Sequence, residues 1–325
     1  MKVVAIGGGT GMPAVLRGIK PYTNRITAIV TVSDDGGSSG KLRRELGILP
    51  PGDIRNNIVA LADDESLMAK LFQYRFDDQS DLAGHAFGNL FIAAMAELSG
   101  GMEEALPEVG RVLNIQGSVF PSTFDDVELV AKLRLKSTER TVHVEGESQI
   151  TNMGGEILDI SISPKDAKAY HKSVDAILDA DLIVIGPGSL YTSILPNLLV
   201  QGIAGALKES KATVVYVCNV ATQPGETSNY DVADHVLALE KYIGQDIIQV
   251  ILANNMMPPA NAETHYVNLT PPDHEINSRY QIHYIDLTDD SRPWRHDPNK
   301  LAQAFLKIFG ERAVSVKQPV NVDVN

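Results

Sequence analysis

Gly7, Gly8, Gly9, Thr10 and Gly11 stand directly after the β-branched run Val3 to Ile6 and directly before Ala14, Val15, Leu16 and Ile19 at helical spacing. Pro13 suits the first helical turn, where a missing N–H costs nothing. A turn without side chains between strand and helix lets backbone N–H groups and the positive helix end reach an anion closely, and a phosphate suits it. Gly7 and Gly9 occupy the first and third places of the dinucleotide fingerprint, but Met12 holds the sixth. Gly8, Gly9, Thr10 and Gly11 are therefore candidate phosphate contacts, with a plain tight turn as the alternative. A second turn of this kind, Gly186, Pro187, Gly188 and Ser189, follows the apolar run from Asp181 to Ile185. It leads into Tyr191, Thr192 and Ser193, whose hydroxyls add to the cradle.

Between these turns, Ser33 to Gly40 closes a second strand read over Ile26 to Val32, with Ser38 and Ser39 in its glycine-rich end. Asp34 and Asp35 sit slightly later than the acid that holds a ribose diol in dinucleotide folds. A divalent metal such as Mg²⁺ on the pair, or an Asp-Gly turn with solvated acids, are the other readings. Gly36 to Lys41 is not a Walker loop, because three residues separate Gly36 from Gly40 and Leu42 replaces the magnesium-binding Ser or Thr. His85 and Asn89, four apart in Gly84-His85-Ala86-Phe87-Gly88-Asn89-Leu90, share a helix face, though both could be cap residues. No partner His or Cys stands at metal spacing, so zinc is not expected. Arg55 and Asn56 follow Asp53 in a helical stretch from Pro50, and Asn219, Thr222 and Gln223 end the strand Thr213 to Cys218.

One helix N-terminus supplies about half a positive charge, so two cradles leave a diphosphate of about two negative charges short of neutrality. A cation must help, from Lys41, Arg43, Arg44, Arg55, Arg292 or Arg295. Arginine is preferred for its planar fork, and Arg295 stands out in its cluster with Trp294, His296 and Asp297.

The elements that position these residues alternate between apolar strands and helices. The 325 residues suit one large α/β domain, read as 1–310 with a frayed tail over 311–325. Strands over Val3 to Ile6, Ile26 to Val32, Asp181 to Ile185, Thr213 to Cys218 and, as the last core strand, Ile247 to Leu252 predict a mostly parallel sheet flanked by helices, with a further strand read over Ile282 to Leu287 in the final section. Their polar, glycine-rich ends predict a ligand crevice at the carboxyl edge. Helices are read over Leu67 to Phe76, through Leu98, over Leu190 to Leu207 and ending near Phe309. Alternating segments at Val127 to Leu135, Thr141 to Glu145 and Ile157 to Ser163 predict an antiparallel insertion over 116–163, with a turn at Asn152, Gly154 and Gly155.

A net charge of −13 argues against nucleic acid or an acidic membrane as partner. The lone cysteine, Cys218, excludes an internal disulfide and reads as a small buried hydrophobe. The start lacks a secretory pattern and no apolar run approaches the ~20 residues of a membrane span, so a cytoplasmic location is expected.

Taken in order, Gly7-Gly8-Gly9-Thr10-Gly11, Ser33 to Gly40, the His85–Asn89 motif, Gly186-Pro187-Gly188-Ser189 and Arg295-His296-Asp297 closely resemble the YvcK family of bacterial gluconeogenesis factors. That family is related to the CofD phospholactate transferases of deazaflavin cofactor synthesis. The resemblance implies a Rossmann-like CofD fold and a cytoplasmic protein needed for growth and cell shape on gluconeogenic carbon. It also implies binding of UDP-N-acetylglucosamine and regulation of cell-wall precursor supply, with no catalytic residue. Tyr266 and Arg295 match positions tied to sugar-nucleotide binding, and Asp34, Asp35, Asn89 and both cradles would line the site. Two other functions stay open: CofD-like, metal-dependent transfer of a phosphate ester, and an NAD-linked dehydrogenase resting on the partial fingerprint alone. A nucleotide-sugar sensor needs a protein partner to receive its signal, which the sequence does not identify, and a homodimer is left open.

Overall fold

The computed structural model describes residues 1–62, 67–77, 79–135, 138–257 and 265–309. The tail expected at 311–325 lies outside them. The chain begins β1 (Val3–Gly7), α1 (Met12–Ile19), β2 (Ile26–Val30), α2 (Gly37–Leu46), α3 (Pro51–Leu61), α4 (Leu67–Gln73), α5 (Phe87–Ser99), α6 (Met102–Val112) and β3 (Ser118–Pro121). An excursion follows: β4 (Glu128–Arg134), β5 (Thr141–Glu145), α7 (Glu147–Met153) and β6 (Glu156–Ser163). The chain then runs through α8 (His171–Leu178), β7 (Leu182–Ile185), α9 (Leu195–Leu199), α10 (Ile203–Glu209), β8 (Thr213–Val217), α11 (Val232–Ile243), β9 (Val250–Asn254), α12 (Ile276–Arg279), β10 (Gln281–Ile285) and α13 (Pro298–Phe309).

Seven strands form one parallel sheet in the order β10-β9-β8-β7-β1-β2-β3, while β5-β4-β6 form a separate antiparallel sheet. β1 and β7 are buried at every position, as unbroken apolar runs should be when helices cover both faces of a parallel sheet. Ala5 pairs with Ala28 on one side and Val184 on the other. From β1 the chain moves outward through β2 and β3, then returns to β7 on the opposite flank and moves outward the other way. The reversal lies between β1 and β7. Connections leaving those two strands diverge, which opens a crevice at their carboxyl ends.

Two expectations change. Ser118–Pro121 lies inside the stretch expected to be antiparallel, yet it pairs parallel to β2, with Val119 beside Ala28. Being an edge strand it is covered on one flank only, and its alternating burial imitates a half-exposed antiparallel strand. The helix expected over Leu190 to Leu207 is broken into a π-helical turn at Leu190–Ile194, then α9 and α10, with Pro196 and Gly202 at the joints.

Cys218 is fully buried at the end of β8, and burial pushes its thiol up to about 12. Iodoacetamide at pH 8 is expected to leave it unmodified in the native protein and to label it in urea, which mass spectrometry reads directly. Among the described residues no helix is long and apolar enough to cross a membrane.

Candidate ligand-binding site

The crevice at the β1–β7 reversal widens into a cavity of about 720 Å³. Gly9, Thr10, Gly11, Gly188, Ser189, Asn219, Thr222 and Gln223 line it, together with Arg17, His265, Asp289, Arg292, Trp294 and Arg295. The two glycine turns meet here: a Cβ added at Gly11 would lie 2.7 Å from the Pro187 carbonyl oxygen. Gly9 adopts φ +64°, which a side chain would strain. Asn219 locks the second turn, its Oδ1 accepting from Gly188 N at 3.1 Å and its Nδ2 donating to Gly188 O at 2.7 Å. Gln223 Nε2 donates to Ser189 Oγ at 2.6 Å. Asn197, buried in α9, donates to the Gly7 carbonyl at 2.9 Å and so stitches the broken helix to the end of β1.

No side chain caps α1 at Gly11. Pro13 has no N–H and Ala14 donates to the Gly11 carbonyl at 3.0 Å, so the amides left for an anion at this end are those of Thr10, Gly11 and Met12. Of the lining arginines, Arg17 comes from α1 and the other two from the segment between β10 and α13. Asp289 Oδ1 accepts from Ser291 N at 2.7 Å and from Arg292 N at 3.1 Å, and Asp289 N donates to the Arg295 carbonyl at 2.9 Å. The Ser291 hydroxyl, also donating to Asp289 Oδ1 at 2.7 Å, and then the Ser291 and Arg292 amides hold the Asp289 carboxyl below the usual carboxylate range, and together these bonds fix the turn that carries Arg292 and Arg295. Among the described residues the Arg295 guanidinium has neither an ion pair nor a hydrogen-bond acceptor. Next to it, His296 is buried with Nε2 3.0 Å from the Cys218 carbonyl. Burial pulls its imidazole down to about 4, so it is neutral at physiological pH.

The opposite side of the first turn is acidic. Asp53, at the start of α3, accepts a hydrogen bond from Gly9 N at 2.8 Å, so one amide of the expected cradle already serves an internal carboxylate. Burial, opposed by that hydrogen bond and reinforced by Asp34, pushes Asp53 up to about 6. Burial and the charges of Asp34, Asp53 and Asp35 push Glu147 well up. Burial raises Glu226 to about 7, even though Thr192 Oγ1 donates to it at 3.1 Å. These hard oxygens fit Mg²⁺ in kind. They are not arranged for it: among the described residues no three His, Cys, Asp or Glu are placed to hold an ion. Asp34 Oδ1 accepts from Gly36 N at 2.9 Å, and Asp35 Oδ1 accepts from Ser148 N at 2.9 Å and Ser148 Oγ at 2.6 Å, tying α7 to the end of β2.

Other residues expected at the site lie elsewhere. Gly8 packs against Asp53, and Gly186 lies beneath the second turn, donating to the Ile6 carbonyl at 2.8 Å. Thr192 turns to Glu226. Tyr266 is buried in an antiparallel bridge with Ala221, while its neighbour His265 lines the cavity. Ser38, His85, Asn89, Arg55 and Asn56 form their own chain between α2, α3 and α5. Ser38 Oγ lies 3.0 Å from His85 Nδ1, Asn89 Nδ2 donates to Ser38 Oγ at 3.0 Å, and Arg55 donates to Asn89 at 3.0 Å and to Asn56 at 2.7 Å. Burial, together with Arg75, lowers Arg55 to about 10. Ser39 packs under Gly52. Sequence reasoning passed over Arg17, His265, Asp53, Glu147 and Glu226; the first-turn acid of α3 was the legible signal for Asp53.

Residues 3–311 match the family model described as 2-phospho-L-lactate transferase CofD. The gluconeogenesis factor of Halalkalibacterium halodurans is 48% identical over 314 residues, covering 94% of this chain and 95% of that protein. The gluconeogenesis factor of Bacillus subtilis is 43% identical over 317 residues, covering 95% of this chain and 98% of that protein. A crystal structure of a UPF0052 family member from Bacillus halodurans superposes with a TM-score of 0.86 at 40% identity, covering 94% of this chain and 98% of that one. The five sequence motifs, the parallel sheet with its reversal at the paired glycine turns, and these likenesses agree: the chain belongs to the CofD/UPF0052 family of gluconeogenesis factors.

Proposed function

We propose that the cavity binds a nucleotide-sugar, UDP-N-acetylglucosamine, and that the protein acts as a cytoplasmic regulator, reporting this ligand to a protein partner. Gluconeogenic growth, cell shape and cell-wall precursor supply are the processes it would serve. One observation carries the reading: two glycine-rich turns meet at the sheet reversal in a cavity that Arg17, Arg292 and Arg295 also line, in a chain whose net charge is −13. The pyrophosphate sits on the amides of Thr10, Gly11 and Met12 and faces Arg292 and Arg295. Ser189, Asn219, Thr222 and Gln223 supply hydrogen-bonding groups for sugar hydroxyls. Calorimetry with UDP-N-acetylglucosamine, with and without Mg²⁺, tests it. Saturable binding without product is expected; turnover that requires metal would overturn the sensor.

Arg295→Ala is expected to weaken that affinity by about 1–3 kcal/mol, the cost of one charge-assisted hydrogen bond. Unchanged affinity would remove Arg295 from the site. The matching family model favours a second reading, CofD-like transfer of a phosphate ester, although Asp34 and Asp35, the pair that would hold Mg²⁺, are not arranged for it. An NAD-linked oxidoreductase ranks below both. Among the described residues, neutral, buried His296 has no carboxylate partner, and the Tyr191 and Tyr230 hydroxyls, 2.8 Å apart, bond each other rather than a lysine.

A further inference from the structure

We infer that Trp294 is the platform on which the ligand's base stacks, so that this side chain selects nucleotides over sugar phosphates and pyrophosphate of similar charge. The inference rests on the nucleotide-sugar reading of the cavity and deepens it. Trp294 is the only tryptophan of the chain, and it is 50% exposed in a cavity otherwise lined mainly by glycine, small polar and arginine residues.

Among the described residues no aromatic ring or guanidinium stacks on its indole. An apolar face of that size left open beside polar groups and arginines is complementary to a ligand with an anionic middle and a flat, weakly polar end. A nucleoside diphosphate has that form; a sugar phosphate does not.

The segment carrying the indole is anchored at both ends. Asp289 gathers the amides of Ser291 and Arg292, Thr288 bridges His296, and His296 reaches the Cys218 carbonyl at 3.0 Å. Trp294 therefore stands on a braced turn between Arg292 and Arg295, where phosphate and base are engaged by adjacent residues. Stacking tolerates any base, because every base presents a π-face. The indole registers that a base is present, and the identity of the base is left to polar groups elsewhere in the cavity.

A lone tryptophan makes its own fluorescence the probe. Saturable quenching is expected with UDP and UDP-N-acetylglucosamine at the calorimetric midpoint, and none with pyrophosphate or N-acetylglucosamine 1-phosphate. Trp294→Ala is expected to weaken UDP binding by about 5- to 100-fold, as loss of one base–aromatic stack does, and to leave pyrophosphate binding unchanged. Trp294→Phe should restore most of the loss. UDP binding to Trp294→Ala at wild-type affinity would overturn the platform while the nucleotide reading stands. An equal loss for pyrophosphate would also overturn it, marking a disturbed turn rather than a lost stack. If the wild-type protein binds neither UDP nor its sugar, the nucleotide reading itself falls and the platform with it.

Discussion

Asp53→Asn is expected to stabilise the protein at pH 8 by up to about 3 kcal/mol, a shift of about two pKa units at 1.36 kcal/mol each. The sign follows from the proton count. In the unfolded chain Asp53 ionises near 3.8, whereas in the fold burial holds its proton to about 6. Between those values the native state binds more protons than the unfolded state, so stability falls as pH rises through that window, and the full cost is present above it. Asparagine removes the charge while its Oδ1 can still accept from Gly9 N. Urea melts at pH 4 and pH 8 check this: the variant's advantage should be large at pH 8 and near zero at pH 4. An equal difference at both would mean that packing, not ionisation, is responsible. Glu226, raised to about 7, should extend the wild-type decline toward neutral pH.

Gly11→Ala should cost about 1–3 kcal/mol of stability and abolish measurable nucleotide-sugar binding. The added methyl would meet the Pro187 carbonyl oxygen at 2.7 Å, its carbon at 2.8 Å and Gly188 N at 3.0 Å, all backbone atoms that no rotamer change can move. Relief requires the two glycine turns to separate, and both turns line the cavity. Gly205→Ala is the matching control, since a Cβ there meets nothing within 4 Å and lies in α10. It should raise stability by about 0.5–1 kcal/mol and leave binding intact. Thermal melts and calorimetry on both variants decide the matter, and normal binding by Gly11→Ala would show that the turns need not touch.

Much of the fold was written locally. Buried parallel strands appear as short unbroken apolar runs, so β1, β2, β7, β8 and β9 could be found from the sequence, with ends off by a few residues; β10, half-exposed at the sheet edge, could be read as a strand but not placed in the sheet. α11 went unread despite a capping box between Asp231 and Asp234, a signal that was there to be used. β3 was not read as a strand and fell inside the expected insertion, because its parallel pairing with β2 is a long-range contact that four residues do not state.

By itself the sequence determined the alternation of strands and helices, the two glycine-rich turns, and which arginines are candidates for an anionic ligand. These follow from residue type and spacing within a few positions. Only the tertiary structure decided which groups meet. The Gly9 amide goes to Asp53, 44 positions away, and Ser38 joins His85 and Asn89, 47 and 51 positions away, in a chain of their own. Spacing along a helix tells which side chains share a face, but the partner across from that face is chosen by how strands are ordered and helices packed. That choice depends on burying the whole core at once, and no local window contains it.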